Sequence, residues 1–206
     1  MAECCKTIEI IGEGITEEAY VKSIRDIVRH KPNKRFRKAS SLKELERNIK
    51  ECIKNGVSLV LCLIDMDNKT ADGEHEHEIN AQKYEKLKNT YHNKEFTNVL
   101  HENTRVVFIE SYPSIETFFF YYGGYTTAAK TNEGLKKDLK RKYGYEVSSK
   151  YFNSHSLHEG VFSCEGSCLA NAISNAKKSV KNRCKEDKHA SYSEMYVLFD
   201  TLELLD

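Results

Sequence analysis

The chain has 206 residues, 39% of them apolar and 31% charged, with 32 Lys+Arg against 31 Asp+Glu. That length buries a core without disulfide staples, that composition excludes a disordered chain, and the near-neutral charge argues neither for nor against nucleic acid, leaving local clustering to decide. No run approaches the roughly 18 apolar residues of a membrane span, Met1-Ala2-Glu3-Cys4-Cys5-Lys6 lacks a leader pattern, and the odd count of seven cysteines fits reduced thiols, so a cytoplasmic, membrane-free protein is expected.

Residues 7–11 read as a short apolar strand, broken by Gly12-Glu13-Gly14. Thr16 then fits an N-cap, with Glu17 and Glu18 favourably placed in the first turn of a helix reaching about Arg29. A strand is expected over 35–39. Ser41 caps a second helix over 42–55, where Leu42, Leu45, Ile49 and Ile53 recur at helical spacing and Asn55-Gly56 ends the run. Residues 57–64 form a nearly continuous apolar stretch, the pattern of a strand buried on both faces of a parallel sheet. It stops abruptly at Asp65-Met66-Asp67-Asn68. The polar stretch 68–79 reads as a loop, 80–93 as a charged helix and 105–110 as a further strand. This alternation predicts an α/β fold with a mostly parallel sheet flanked by helices. After Pro113 the character changes: helices are expected through 115–122, 132–143, 167–183 and 191–204. The domain expectation is therefore a core over 1–112 and a helical elaboration over 113–206.

Ligands of an open α/β sheet sit beyond the carboxyl ends of its strands. Glu13 follows the first strand, and Asp65 and Asp67 follow the central one. Carboxylates are the hard oxygen ligands that Mg²⁺ prefers, and one or two such ions can polarise a phosphodiester and generate a hydroxide nucleophile. Taken alone, Asp-x-Asp is equally a pair of loop-capping aspartates. Glu116, near the start of an aromatic-rich helix, must be paired or point out of the core. Glu17 either serves the helix N-terminus or supports the same site.

Three motifs resemble one family. Ile11-Gly12-Glu13-Gly14-Ile15-Thr16-Glu17-Glu18-Ala19-Tyr20 is similar to the Glu-Gly-x-x-Thr-Glu-x-x-Tyr opening of RloB-like proteins. Ser111-Tyr112-Pro113-Ser114-Ile115-Glu116-Thr117-Phe118 is similar to that family's Ser-Asn-Pro-x-Phe-Glu-Leu-Trp, and Ala172-Ile173-Ser174-Asn175-Ala176-Lys177 to its late Ala-Ile-x-Asn-Ala-Lys helix. The order Glu, then Asp-x-Asp, also resembles the TOPRIM domain of topoisomerases, primases and OLD-type nucleases. The resemblance implies a TOPRIM-like fold and a Mg²⁺- or Mn²⁺-dependent nuclease of bacterial anti-phage defence. It implies that Glu13, Asp65, Asp67 and Glu116 hold the metal and that Glu17 supports catalysis. The implied partners are nucleic acid (DNA or RNA, tRNA included) and a separate ATPase, since the chain carries no Walker motif. It departs from the pattern at Met66, where the family has Arg between the aspartates, and at Tyr112, where it has Asn.

Other clusters have plainer readings. His75-Glu76-His77-Glu78, taken as loop, reads as a solvated charge run rather than a transition-metal site. Cys164 and Cys168 with His155 and His158 lack the usual two-residue gap of zinc sites. Tyr112, Tyr121 and Tyr122 fit core positions better than base-stacking platforms. Basic residues gather at 25–38, 136–142 and 177–188, any of which is either a solvated face or a track for phosphates.

Overall fold

The computed structural model describes residues 7–25, 27, 34–70, 75–126, 128–183 and 190–202. Among these are β1 (Ile8–Gly12), α1 (Ile15–Ser23), β2 (Lys34–Lys38), α2 (Leu42–Lys54), β3 (Leu59–Asp65), α3 (His75–Tyr91), β4 (Lys94–Thr97) and β5 (Asn103–Tyr112). They are followed by α4 (Glu116–Phe120), α5 (Asn132–Tyr143), α6 (Ser149–Ser154), a π-helical turn (Leu157–Phe162), α7 (Leu169–Arg183), β6 (Tyr192–Ser193) and α8 (Tyr196–Thr201). The sheet runs β2-β1-β3-β5-β4, with β6 against the end of β5. The β1–β2 and β1–β3 pairs are parallel and the β4–β5 and β5–β6 pairs antiparallel, giving the expected α/β class. No helix among the described residues is long and apolar enough to cross a membrane.

Two compact units interleave along the chain. The first comprises 1–14, 30–63 and 68–108; the second comprises 15–29, 64–67 and 109–206. The boundary thus falls inside β3 and β5 as well as after Gly14.

The first unit is built on β3, whose residues Val60 to Leu63 are all buried, as a strand covered on both faces requires. α2 presents Leu45, Ile49 and Cys52 to this core, and Ser41 caps it by accepting a hydrogen bond from the Glu44 N–H. Glu9, buried on β1, is neutralised by Arg37 of β2 at 2.8 Å, and Arg37 also reaches Glu51. Tyr84 of α3 packs beside Phe108.

The second unit has an aromatic core. Tyr20, Phe118, Phe119, Tyr122, Tyr145, Phe162 and Phe199 are fully buried, in edge-on and stacked contacts. Tyr122 and Tyr121 are therefore core residues, as their setting in the sequence suggested. The Tyr20 and Tyr122 hydroxyls share a hydrogen bond of 2.8 Å, and Tyr122 continues to His158 Nδ1 at 2.8 Å.

Several elements differ from the sequence reading. α1 ends at Ser23 rather than near Arg29, because the Ser23 hydroxyl donates to the Tyr20 carbonyl and the chain tightens into three-residue turns. Thr16 lies inside α1 instead of capping it. His75–Glu78 open α3 rather than lying in a loop, so the run is helical; the His75 and Glu76 side chains lie outside the described set. β4, α6 and the π-helical turn have too little periodicity to read, and the segment 191–204 divides into β6 and α8. Of the basic cluster at 25–38, residues 26 and 28–33 lie outside the described residues, as do 184–189 of the third cluster and Cys4, Cys5 and Cys184.

Candidate functional site

β3 ends in Asp65, and the next residue holds the turn in place. The Met66 N–H reaches the carbonyls of Ser111 and Pro113, and its side chain is buried. Asp65 itself accepts the Ile115 N–H at 2.8 Å, which pins the start of α4 to the end of β3. This brings Glu116, one residue on, into the same part of the second unit. Its carboxylate is only 3% exposed and fully engaged: Oε2 accepts from the Ser114 hydroxyl at 2.7 Å and Oε1 from the Tyr145 hydroxyl at 3.1 Å. Lys136 Nζ stands 3.9 Å from Oε1.

α5 supplies the link to Asp67. Thr131 caps this helix through the Gly134 N–H, which fixes Asn132 as its first residue. The Asn132 amide donates to Asp67 Oδ2 at 3.2 Å, while its carbonyl oxygen lies 2.8 Å from the Ser114 hydroxyl. Ser114 has one proton for two acceptors, Glu116 and Asn132, so it can serve only one at a time. Asp67, Asn132, Ser114 and Glu116 thus form one chain of polar contacts, with Asp65 tied to it through the neighbouring backbone.

Tyr145 extends the network to α1. Its hydroxyl is hydrogen-bonded with Thr16 as well as Glu116, and Glu17 bears on it electrostatically. Burial, then the negative charge of Glu116, raises its pKa far above the usual phenol range. Tyr145 is therefore a neutral donor at any physiological pH. Glu17 is 3% exposed. From the first turn of α1 its charge acts on the Tyr145 hydroxyl.

Glu13 belongs to the first unit, directly after β1. Its Oε1 pairs at 2.8 Å with Lys69, an ammonium group whose side chain is 5% exposed and which also donates to Asn68. Among the described residues no group of three or more His, Cys, Asp or Glu side chains stands ready to hold a metal ion. The oxygen chemistry of Asp65, Asp67 and Glu116 suits a hard cation, and in this structure each of the three accepts from at least one N–H or O–H donor. Cys164 and Cys168 are exposed free thiols, while His155 stacks on Tyr151 and His158 is bonded to Tyr122, so the four do not converge.

Ser114, Asn132, Tyr145 and Lys69 were absent from the sequence-derived set. Ser114 alone had a signal, its place in the Ser-Tyr-Pro-Ser-Ile-Glu motif; the others are common residue types in no motif.

A family profile described as RloB-like protein matches residues 8–202. The chain belongs to the RloB-like family. No curated protein and no solved structure matches this RloB-like chain. The profile covers β1 through α8 and so takes in segments of both compact units.

Proposed function

We propose that this RloB-like protein is a Mg²⁺- or Mn²⁺-dependent phosphodiesterase that cuts DNA or RNA, with TOPRIM-type chemistry, in bacterial defence against phage. The observation that carries the reading is the linkage of Asp65, Asp67 and Glu116, up to 51 positions apart, through Ile115, Ser114 and Asn132 in one unit. Glu116 is buried, and a buried carboxylate is costly without a cation or donor to repay the desolvation, while Asp65 is half-buried and Asp67 exposed. Asp65, Asp67 and Glu116 would hold the ion. A bound divalent ion would supply Lewis-acid activation of the phosphodiester and of water. The chain's own contribution is orientation: Ser114 and Tyr145 fix the two oxygens of Glu116, and Asn132 holds Asp67.

The test is cleavage of plasmid, single-stranded DNA and tRNA by the purified protein with Mg²⁺, Mn²⁺ or EDTA. Glu13→Ala, Asp65→Ala and Asp67→Ala are run beside it. Metal-dependent cutting lost in the Asp variants supports the reading. Cutting that persists in both Asp variants at the wild-type rate refutes it. Cutting that begins only when a separate ATPase is added would identify the chain as an effector subunit activated in trans.

A further inference from the structure

Beside Glu116 the second unit carries an open groove of about 370 Å³, lined by Lys136, Lys137, Lys140, Tyr145, Glu146 and Val147. All three lysines line the groove, Lys140 neighbouring Lys136 at i+4 and Lys137 at i+3 on the surface of α5. Lys140 pairs with Glu146 at 2.9 Å; Lys136 is 3.9 Å from Glu116; Lys137 makes no ion pair among the described residues. The groove lining thus has three cations against one carboxylate. At the helix end, Lys140, Arg141 and Lys142 complement the negative pole of the dipole. Lys136 and Lys137 sit mid-helix, where the dipole gives them nothing, and each is repelled by Lys140, four and three positions on. An anionic ligand would relieve that repulsion.

The groove also connects to the acidic network. Tyr145, part of its lining, donates to Glu116, so a ligand resting on the lysines lies one side chain from the carboxylates. Met66, between the two aspartates, is buried and brings no charge to the site. Val147 is 44% exposed and offers an apolar surface beside the cations, suited to a sugar or base. We infer that this groove seats the sugar-phosphate backbone of the nucleic-acid substrate, with Lys136, Lys137 and Lys140 contacting successive phosphates. The inference rests on the phosphodiesterase reading for its substrate class, but its test does not.

Binding of a fluorescein-labelled 20-nucleotide single strand, as DNA and as RNA of the same sequence, is followed by anisotropy in EDTA from 50 to 200 mM salt. The proteins compared are wild type, Lys136→Gln/Lys137→Gln/Lys140→Gln, the corresponding triple Arg variant, and Lys43→Gln/Lys54→Gln on α2 as a control. Each phosphate contact contributes about −0.7 to the slope of log K against log salt for single strands. The triple Gln variant should therefore lose roughly 2 from the slope and bind at least tenfold more weakly at 50 mM salt, with the same thermal melt. The Arg variant and the α2 control should bind as wild type does. An unchanged slope in the triple Gln variant, or an equal loss in the α2 control, overturns the groove. Because EDTA suppresses metal-dependent cutting, the two readings fail separately. A chain that binds through the lysines but never cuts refutes only the hydrolytic reading; one that cuts while the triple Gln variant binds and cuts normally refutes only the groove.

Discussion

Replacing Tyr145 with Phe removes one hydroxyl from the centre of the acidic network and leaves the ring's contacts with Phe119, Phe152 and Phe162 in place. That hydroxyl makes two hydrogen bonds, to Glu116 Oε1 at 3.1 Å and with Thr16. A hydrogen bond to a charged group contributes about 1.5–3 kcal/mol, and a neutral one about 0.5–1.5 kcal/mol. The 3.1 Å separation is long for a bond from O–H to a carboxylate, which favours the lower part of the first range. Tyr145→Phe should then cost about 2–3 kcal/mol. With a urea m-value of about 2–3 kcal/mol/M, the unfolding midpoint falls by roughly 1 M. The assay is urea unfolding followed by near-ultraviolet circular dichroism, for wild type, Tyr145→Phe, Glu116→Gln and the double variant. The cycle isolates the Tyr145–Glu116 coupling, expected at about 1.5 kcal/mol. A coupling below about 0.5 kcal/mol would mean that Tyr145 is an ordinary core aromatic and that the network is not energetically connected.

Gly144 ends α5 in the left-handed region at φ 67°, and a Cβ placed there meets no atom within 4 Å. Gly144→Ala should cost about 1 kcal/mol from backbone strain alone, and Gly144→Asn less, as thermal melts will show. Burial lowers the His158 pKa, so the unfolded chain binds its proton more readily than the folded one. The stability contributed by the neutral ring is complete above about pH 6.5, the unfolded value, and is lost as pH falls from there through the folded pKa. Urea midpoints from pH 7.5 to 5.5 should drop more steeply for wild type than for His158→Gln; parallel curves would contradict this. Burial pushes the Cys52 thiol up to about 11 and raises Cys62 further, whereas Cys164 and Cys168 are exposed. Iodoacetamide at pH 8 should therefore label Cys164 and Cys168 in the native protein, and Cys52 and Cys62 only after unfolding, as peptide mass spectrometry will read.

β1 and β3 were legible because their signal is local. Leu59–Ile64 is apolar throughout, the pattern of a strand covered on both faces, which suits its place inside the sheet. α2 was equally clear, since Ser41 marks its start and Gly56 follows its end, and α5 was read from its periodicity over the bounds observed. α1 was read too long because its end depends on the Ser23 hydroxyl turning onto the backbone, a choice that composition does not encode. β4 was missed because its alternation is masked by Lys94 and Glu95 on an exposed edge.

By itself the sequence determined the α/β class, the order of most elements, and which carboxylates end up at the ends of strands and the start of a helix. Those features arise from periodicity, breakers and motif spacing, all carried by residues close together in the chain. Only the tertiary structure decided what each carboxylate touches: Glu116 meets Ser114 and Tyr145, Asp67 meets Asn132, and Glu13 meets Lys69. These partners are common residue types whose role arises when the fold brings distant segments within 3 or 4 Å, and hydrogen-bond and ion-pair energies are set by that separation rather than by distance along the chain.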